Sequence, residues 1–370
     1  MARPANSRVL VRTVSDLPAA VAESLDFLDF DFHGKRVWVK PNLLGSLPPE
    51  RGVTTDPRIV RACVEQLRRR GASTISVGDN PGGGFPGTMH DFVRPTGVIE
   101  ASDGRFVDVG SETATLELKS RFVPRVAVSR LLYGCDLILN LPVFKTHGLT
   151  LLTGAMKNLF GTIPGRQKTE LHGKARSMMQ FSELMVDIYQ AVPVPVLTIM
   201  DALRGMDGPS GPSSGRVLSI GKILASRNPV ALDAVMAMMA GTKPGRIPML
   251  RIAAERELGP IQRDDLDIEG EFARIPGFQL PTGAVANLAT FLSGWFFTFS
   301  RSRPVLQRDA CVKCGRCARA CPVGAIALDG TPVIDYPSCI SCYCCVEVCP
   351  ERALLVRRGP GGFWRRATGR

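Results

Sequence analysis

At 370 residues the chain is too long for one small module, and two or three domains are expected. The formal net charge of +12 invites a nucleic-acid reading, but no nucleic-acid motif accompanies it, and an acidic partner protein suits the field better. Met1 to Val9 holds no apolar run of signal-peptide length, so the eleven cysteines are not expected to form a secreted disulfide framework.

Strand-like and helix-like runs alternate through most of the chain, which predicts an α/β fold with a mostly parallel, layered sheet. Val9 to Val14 reads as a strand and Leu17 to Leu28 as a helix. Arg36 to Lys40 is a strand running into Pro41-Asn42. Asp56-Pro57 caps a helix to Arg70, with Pro at its first position and Gly71 beyond its end. Thr74 to Val77 is a strand entering the glycine-rich Gly78 to Gly84 segment, and Leu137 to Leu141 is a buried strand entering Pro142 to His147. Helical stretches follow near Thr153 to Phe160 and over Ser177 to Gln190. Val194 to Met200 is a strand ending at Asp201. A Gly/Pro/Ser loop through Gly215 leads to a strand over Val217 to Ala225 and a buried helix over Pro229 to Ala240.

Four of these strands end in polar residues: Lys40/Asn42, Asp79/Asn80, Lys145/His147 and Asp201/Asp207. Ligands bind outside the carboxyl ends of strands in open α/β sheets, so these groups are expected to share a crevice. Cations beside carboxylates suit an anionic small molecule and proton transfer. The candidate catalytic residues are therefore Lys145, His147, Asp79 and Asp201. Candidate binding residues are Lys40, Asn42, Lys157 and Asn158, the last two near a helix start. The competing readings are a structural turn for Gly82 to Gly84 and a satisfied structural histidine for His147. Cys63 and Cys135 are expected in the core.

Ala284 to Phe299 is apolar but shorter than the roughly 18 to 20 residues of a membrane span. A linker helix over 284–303 is expected instead, with peripheral membrane contact as its alternative.

Beyond it the cysteines are written twice in one grammar, at an offset of 28 residues. Cys311, Cys314, Cys317 and Cys321-Pro322 form the first copy; Cys339, Cys342, Cys345 and Cys349-Pro350 form the second. Zinc sites use paired CxxC units or histidines, not three evenly spaced cysteines followed by Cys-Pro. This spacing holds two [4Fe-4S] clusters, the fourth cysteine of each run serving the other cluster. One cluster is therefore assigned to Cys311, Cys314, Cys317 and Cys349, and the other to Cys339, Cys342, Cys345 and Cys321. Cys344 is left over as a packed thiol. The expected layout is a main α/β domain over 1–283, the linker, a small α+β ferredoxin-like domain over 304–357 and a basic tail over 358–370. The last 70 residues carry twelve Lys/Arg against five Asp/Glu, so the cluster end is the basic end.

Asn140-Leu-Pro-Val-Phe-Lys-Thr-His147 and Thr153-Gly-Ala-Met-Lys-Asn-Leu-Phe-Gly161 resemble the signature of the family called domain of unknown function 362. Val39-Lys-Pro-Asn42, Gly78-Asp-Asn-Pro81, Asp207-Gly-Pro209 and Asn228-Pro-Val-Ala-Leu-Asp233 resemble its other blocks. The resemblance implies a prokaryotic, cytoplasmic iron–sulfur protein and no particular reaction. The expected function is a redox protein passing electrons through two clusters to a ligand in the α/β crevice. The alternatives are an electron carrier for a separate, acidic enzyme and a cluster-based redox sensor.

Overall fold

The apolar runs of β2 (Arg36–Pro41) and β6 (Leu137–Leu141) are buried almost end to end, as strands covered on both faces must be. A computed structural model describes residues 7–82, 88–175, 177–281 and 302–358. The other strands of the main domain are β1 (Arg8–Thr13), β3 (Thr74–Val77), β4 (Thr113–Glu117), β5 (Arg125–Ser129), β7 (Val143–His147), β8 (Leu151–Leu152), β9 (Val196–Asp207), β10 (Arg216–Ser226) and β11 (Asp267–Gly270). Nine of these form one sheet with central order β11-β1-β10-β9-β6-β2-β3, and β7 and β8 extend it beside β9. The run β9-β6-β2-β3 is parallel throughout, while β10 is antiparallel to both neighbours. The α/β class expected from the sequence is the observed one.

Alternation along β2 explains the layers. Val37 and Val39 face a core with Val21, Leu25, Ile59 and Cys63, from helices Leu17–Phe27 and Pro57–Arg69. Trp38 points the other way, into a core built by helices Met178–Ala191, Pro229–Met239 and Pro248–Glu255. Asp56 caps its helix as expected, accepting from Arg58 N at 3.0 Å.

Three elements depart from expectation. β9 does not stop at Asp201 but runs to Asp207, because β10 pairs with it from Thr198↔Ser226 to Asp207↔Arg216 across a bulge. The polar stretch Gly165–Lys174 is a helix, and β4 pairs β5 as a separate hairpin. The expected linker helix over 284–303 and the tail lie, apart from a few residues at their inner ends, outside the described residues. Among the described residues no helix is long and apolar enough to cross a membrane.

The cysteine-rich segment folds as a duplicated unit. β12 (Ser302–Leu306) pairs antiparallel with β15 (Leu354–Arg358), and β13 (Ile326–Asp329) with β14 (Thr331–Ile334). Short helices Arg316–Arg319 and Cys344–Glu347 follow the two cysteine loops. The repeat extends to backbone conformation. Left-handed residues occur at Lys313 and Ser341, Gly315 and Tyr343, and Gly324 and Arg352. The second copy tolerates three residues with side chains at positions that favour glycine.

This module is seated on the main domain. Ser213 Oγ donates to Val346 O at 2.8 Å, and Val356 N donates to Ser210 Oγ at 3.0 Å. Gly148 leaves room for the Tyr343 ring, which a Cβ there would strike. The Gly/Ser-rich loop after β9 is thus a docking surface for the cysteine module.

Candidate functional site at the domain junction

Parallel strands β2, β3 and β6 end on one edge, and register brings their last residues together: Lys40 lies opposite Asn140, and Val39 opposite Val77, two residues before Asp79. Lys40 Nζ donates to Asp79 Oδ1 at 2.6 Å, with both side chains buried. Burial lowers the Lys40 pKa, opposed by the Asp79 charge. Asp79 Oδ2 accepts from Leu43 N at 2.8 Å. Gly161 lies against this pair, and any Cβ there would overlap both Asp79 and Lys40.

Beside it runs a chain of amides. Asn42 Nδ2 donates to Asn158 Oδ1 at 2.8 Å, Asn158 Nδ2 to Asn140 Oδ1 at 2.8 Å, and Asn140 Nδ2 to Ala155 O at 3.0 Å. Lys145 Nζ closes the chain by donating to Asn42 Oδ1 and to Val53 O. Each amide both donates and accepts, so the row is locked in one orientation. Burial, with the nearby Lys157 charge, lowers the Lys145 pKa to about 7.

His147 is fully buried. Its Nδ1 accepts from Leu149 N at 3.0 Å and Thr150 N at 3.1 Å, which leaves the proton on Nε2. Nε2 stands 2.9 Å from Glu347 Oε1, across the junction between domains. Burial and the Lys157 charge bring the His147 pKa down to about 4. Burial pushes the Glu347 carboxyl up, but the His147 contact and the Lys157 charge outweigh it and hold it at about 2.

A cavity of about 80 Å³ opens in front of these groups. The main domain contributes Leu43, Asp79, Asn80, Lys157, Phe160, Lys168 and His172 to its wall, and the cysteine module contributes Ala320, Cys344, Glu347 and Val348. Lys157 and Lys168 lie 6.0 and 5.9 Å from the Phe160 ring centroid. Lys168 Nζ donates to Asn80 O, and burial lowers its pKa to about 7. The chamber adjoins a larger cleft of about 930 Å³ that shares Leu44, Thr169 and Glu347 and reaches Cys314, Cys321 and Cys349.

The crevice expected from the strand ends therefore exists, but its membership differs. Asp79, Asn42, Lys157 and Asn158 line it. Lys40 sits behind Asp79; Lys145 and His147 form a second layer, Lys145 donating to Asn42 and His147 Nε2 lying against Glu347. Asp201 does not join them. It lies inside β9, and its carboxylate accepts from Asp56 N at 2.7 Å and Leu203 N at 2.9 Å. Lys168, His172 and Glu347 were not expected. The first two stand four residues apart on one helix face, a spacing that could have marked them.

The cysteines separate into two quartets. Cys311, Cys314, Cys317 and Cys349 line one cavity of about 20 Å³. Cys321, Cys339, Cys342 and Cys345 line another of about 20 Å³. Ala325 N donates to Cys321 Sγ and Ala353 N to Cys349 Sγ, both at 3.2 Å, so the crossing cysteines are oriented alike. Cys344 belongs to neither quartet and faces the chamber. Among the described residues no three of His, Cys, Asp or Glu converge tightly enough for a single ion. Four thiols spread around a small void suit a polynuclear cluster.

Comparison with known proteins finds two families along the chain. Residues 37–238 match the family described as "Domain of unknown function (DUF362)", and residues 303–350 match the family described as "4Fe-4S dicluster domain". The thylakoid-associated protein sll1697 of Synechocystis is 31% identical over 228 residues, covering 61% of this chain and 68% of that protein. The family match spans more than half of the chain, from β2 to the helix after β10. The chain belongs to the DUF362 family and carries a 4Fe-4S dicluster domain at its C-terminal end.

Proposed function

We propose that this is an iron–sulfur redox protein whose small-molecule partner, an anion, binds in the chamber at the domain junction. Cys311, Cys314, Cys317 and Cys349 would hold one [4Fe-4S] cluster, and Cys339, Cys342, Cys345 and Cys321 the other. When bound, these clusters supply one-electron chemistry. The observation that carries the reading is the shared wall: the helix Cys344–Glu347, which carries the cluster cysteine Cys345, lines the same chamber as Lys157 and Lys168 of the main domain. A simple carrier has no need of such a room.

The residues divide the work. Lys157 and Lys168 attract the anion, and the Phe160 face between them excludes water. Asp79 stays tied to Lys40 and Leu43, and the amide row holds Asn42 at the wall. Glu347, kept ionised by its neighbours, offsets one of the two lysine charges and sets a limit on the negative charge the site accepts.

The pH dependence follows. In the free protein Lys168 loses its proton near 7, mainly through burial. Below that pH the charge is already present. Above it, anion binding must take up a proton, so affinity falls by up to about tenfold per pH unit. Acetate titrations of anaerobically reconstituted protein from pH 6 to 9 check this, and a flat profile would remove Lys168 from the site. Lys157→Ala with Lys168→Ala should weaken acetate binding by about tenfold or more while iron content stays unchanged.

A second reading, an electron carrier for a separate acidic protein, is favoured by exposed Cys314 beside exposed Lys313 and Arg319. It predicts association that weakens with salt. The thylakoid association of the relative makes a membrane-peripheral location a proposal alongside a cytoplasmic one.

A further inference from the structure

The chamber carries a feature that anion binding leaves unused. His172 is 4% exposed, lies on the wall, and is clamped by Phe181 at 4.2 Å and Phe160 at 5.8 Å between ring centroids. Its Nδ1 stands 3.1 Å from Lys168 O. A carbonyl only accepts, so Nδ1 carries the proton. Burial, with Lys157 close by, disfavours a second proton on the ring and lowers its pKa to about 3, although Glu347 opposes this. Nε2 is then a bare lone pair. It is buried and has no hydrogen-bond partner. Such an atom is costly unless something donates to it. Asn80 Nδ2, at the same wall, is a buried donor that also lacks a partner.

We infer that the chamber's ligand is a small hydroxylated anion, with its anionic group held by Lys157, Lys168 and the Asn80 amide and its hydroxyl donating to His172 Nε2. This rests on the proposed anion site and adds its selectivity. Donor and acceptor residues both line the chamber, so one molecule of the hydroxy-acid class is assigned to satisfy both. The cavity of about 80 Å³ accommodates a short skeleton, and the adjoining cleft leaves room beyond it for a longer one. His172 is assigned a specificity role at the hydroxyl; no bond to carbon is made or broken in this assignment.

Glycolate and acetate differ by one hydroxyl and serve as probes. Calorimetric titration of the full chain with reconstituted clusters should show glycolate binding about tenfold or more tighter than acetate, because acetate leaves Nε2 unpaired. In His172→Leu the two affinities should converge through loss of glycolate binding, with acetate little changed. Should that variant misfold, His172→Gln, which keeps an acceptor oxygen, should retain most of the preference. Equal affinities in the parent protein would overturn the hydroxyl assignment and leave the anion site standing. Absence of binding by either probe would overturn both. A preference surviving unchanged in His172→Leu would move the hydroxyl contact elsewhere.

Discussion

Lys40→Ala is expected to cost about 3–5 kcal/mol of stability, because it strands the buried Asp79 carboxylate without its cation. That is a large part of the roughly 5–15 kcal/mol margin of an ordinary domain. The loss should come from the stranded charge more than from the missing methylenes. Lys40→Met combined with Asp79→Asn keeps the volume and an oxygen for Leu43 N, and should recover most of it. Anaerobic denaturant unfolding of the three proteins decides the matter. A double variant as unstable as Lys40→Ala would show that the stranded charge is not the main cost. The same pair explains why residue 161 is glycine: a Cβ would displace either the ammonium or the carboxylate.

Paired cysteine substitutions should give an all-or-none result in iron content. Cys321 and Cys342 line the same cavity, whereas Cys321 and Cys314 line different ones. Cys321→Ser with Cys342→Ser should therefore keep one cluster, about four iron per chain, and Cys321→Ser with Cys314→Ser should lose both. Pairing within each run of sequence predicts the opposite. Iron and sulfide analysis with low-temperature EPR of the reduced proteins distinguishes the two outcomes.

The cysteine repeat and the central strands were legible because each rests on a local rule. Thiol spacing is a short-range code, and the apolar runs around Trp38 and Ile138 have no other stable home than a sheet covered on both faces. Asp201 was misplaced for a non-local reason. Nothing near it reveals that β10 will pair beyond it, carrying β9 six residues further and turning a strand end into a strand interior. The helix Gly165–Lys174 was missed because Leu171 is its main apolar anchor and its polar residues face a chamber, so the usual apolar stripe is absent. Glu347 was hidden differently. It sits between Cys345 and Cys349 and was absorbed into their spacing, and its chemical meaning depends on His147, 200 positions away in the chain.

The shared chamber wall bears on how the protein matures. The helix Cys344–Glu347 lies within a short segment that the proposed clusters would staple, so its order is expected to depend in part on iron. A chain made under iron starvation would then fold its large sheet and yet lack one side of the proposed ligand site, with the Nε2 of His147 facing solvent. Metal supply would thus decide whether the pocket is closed, and an excised main domain would present it with one wall missing.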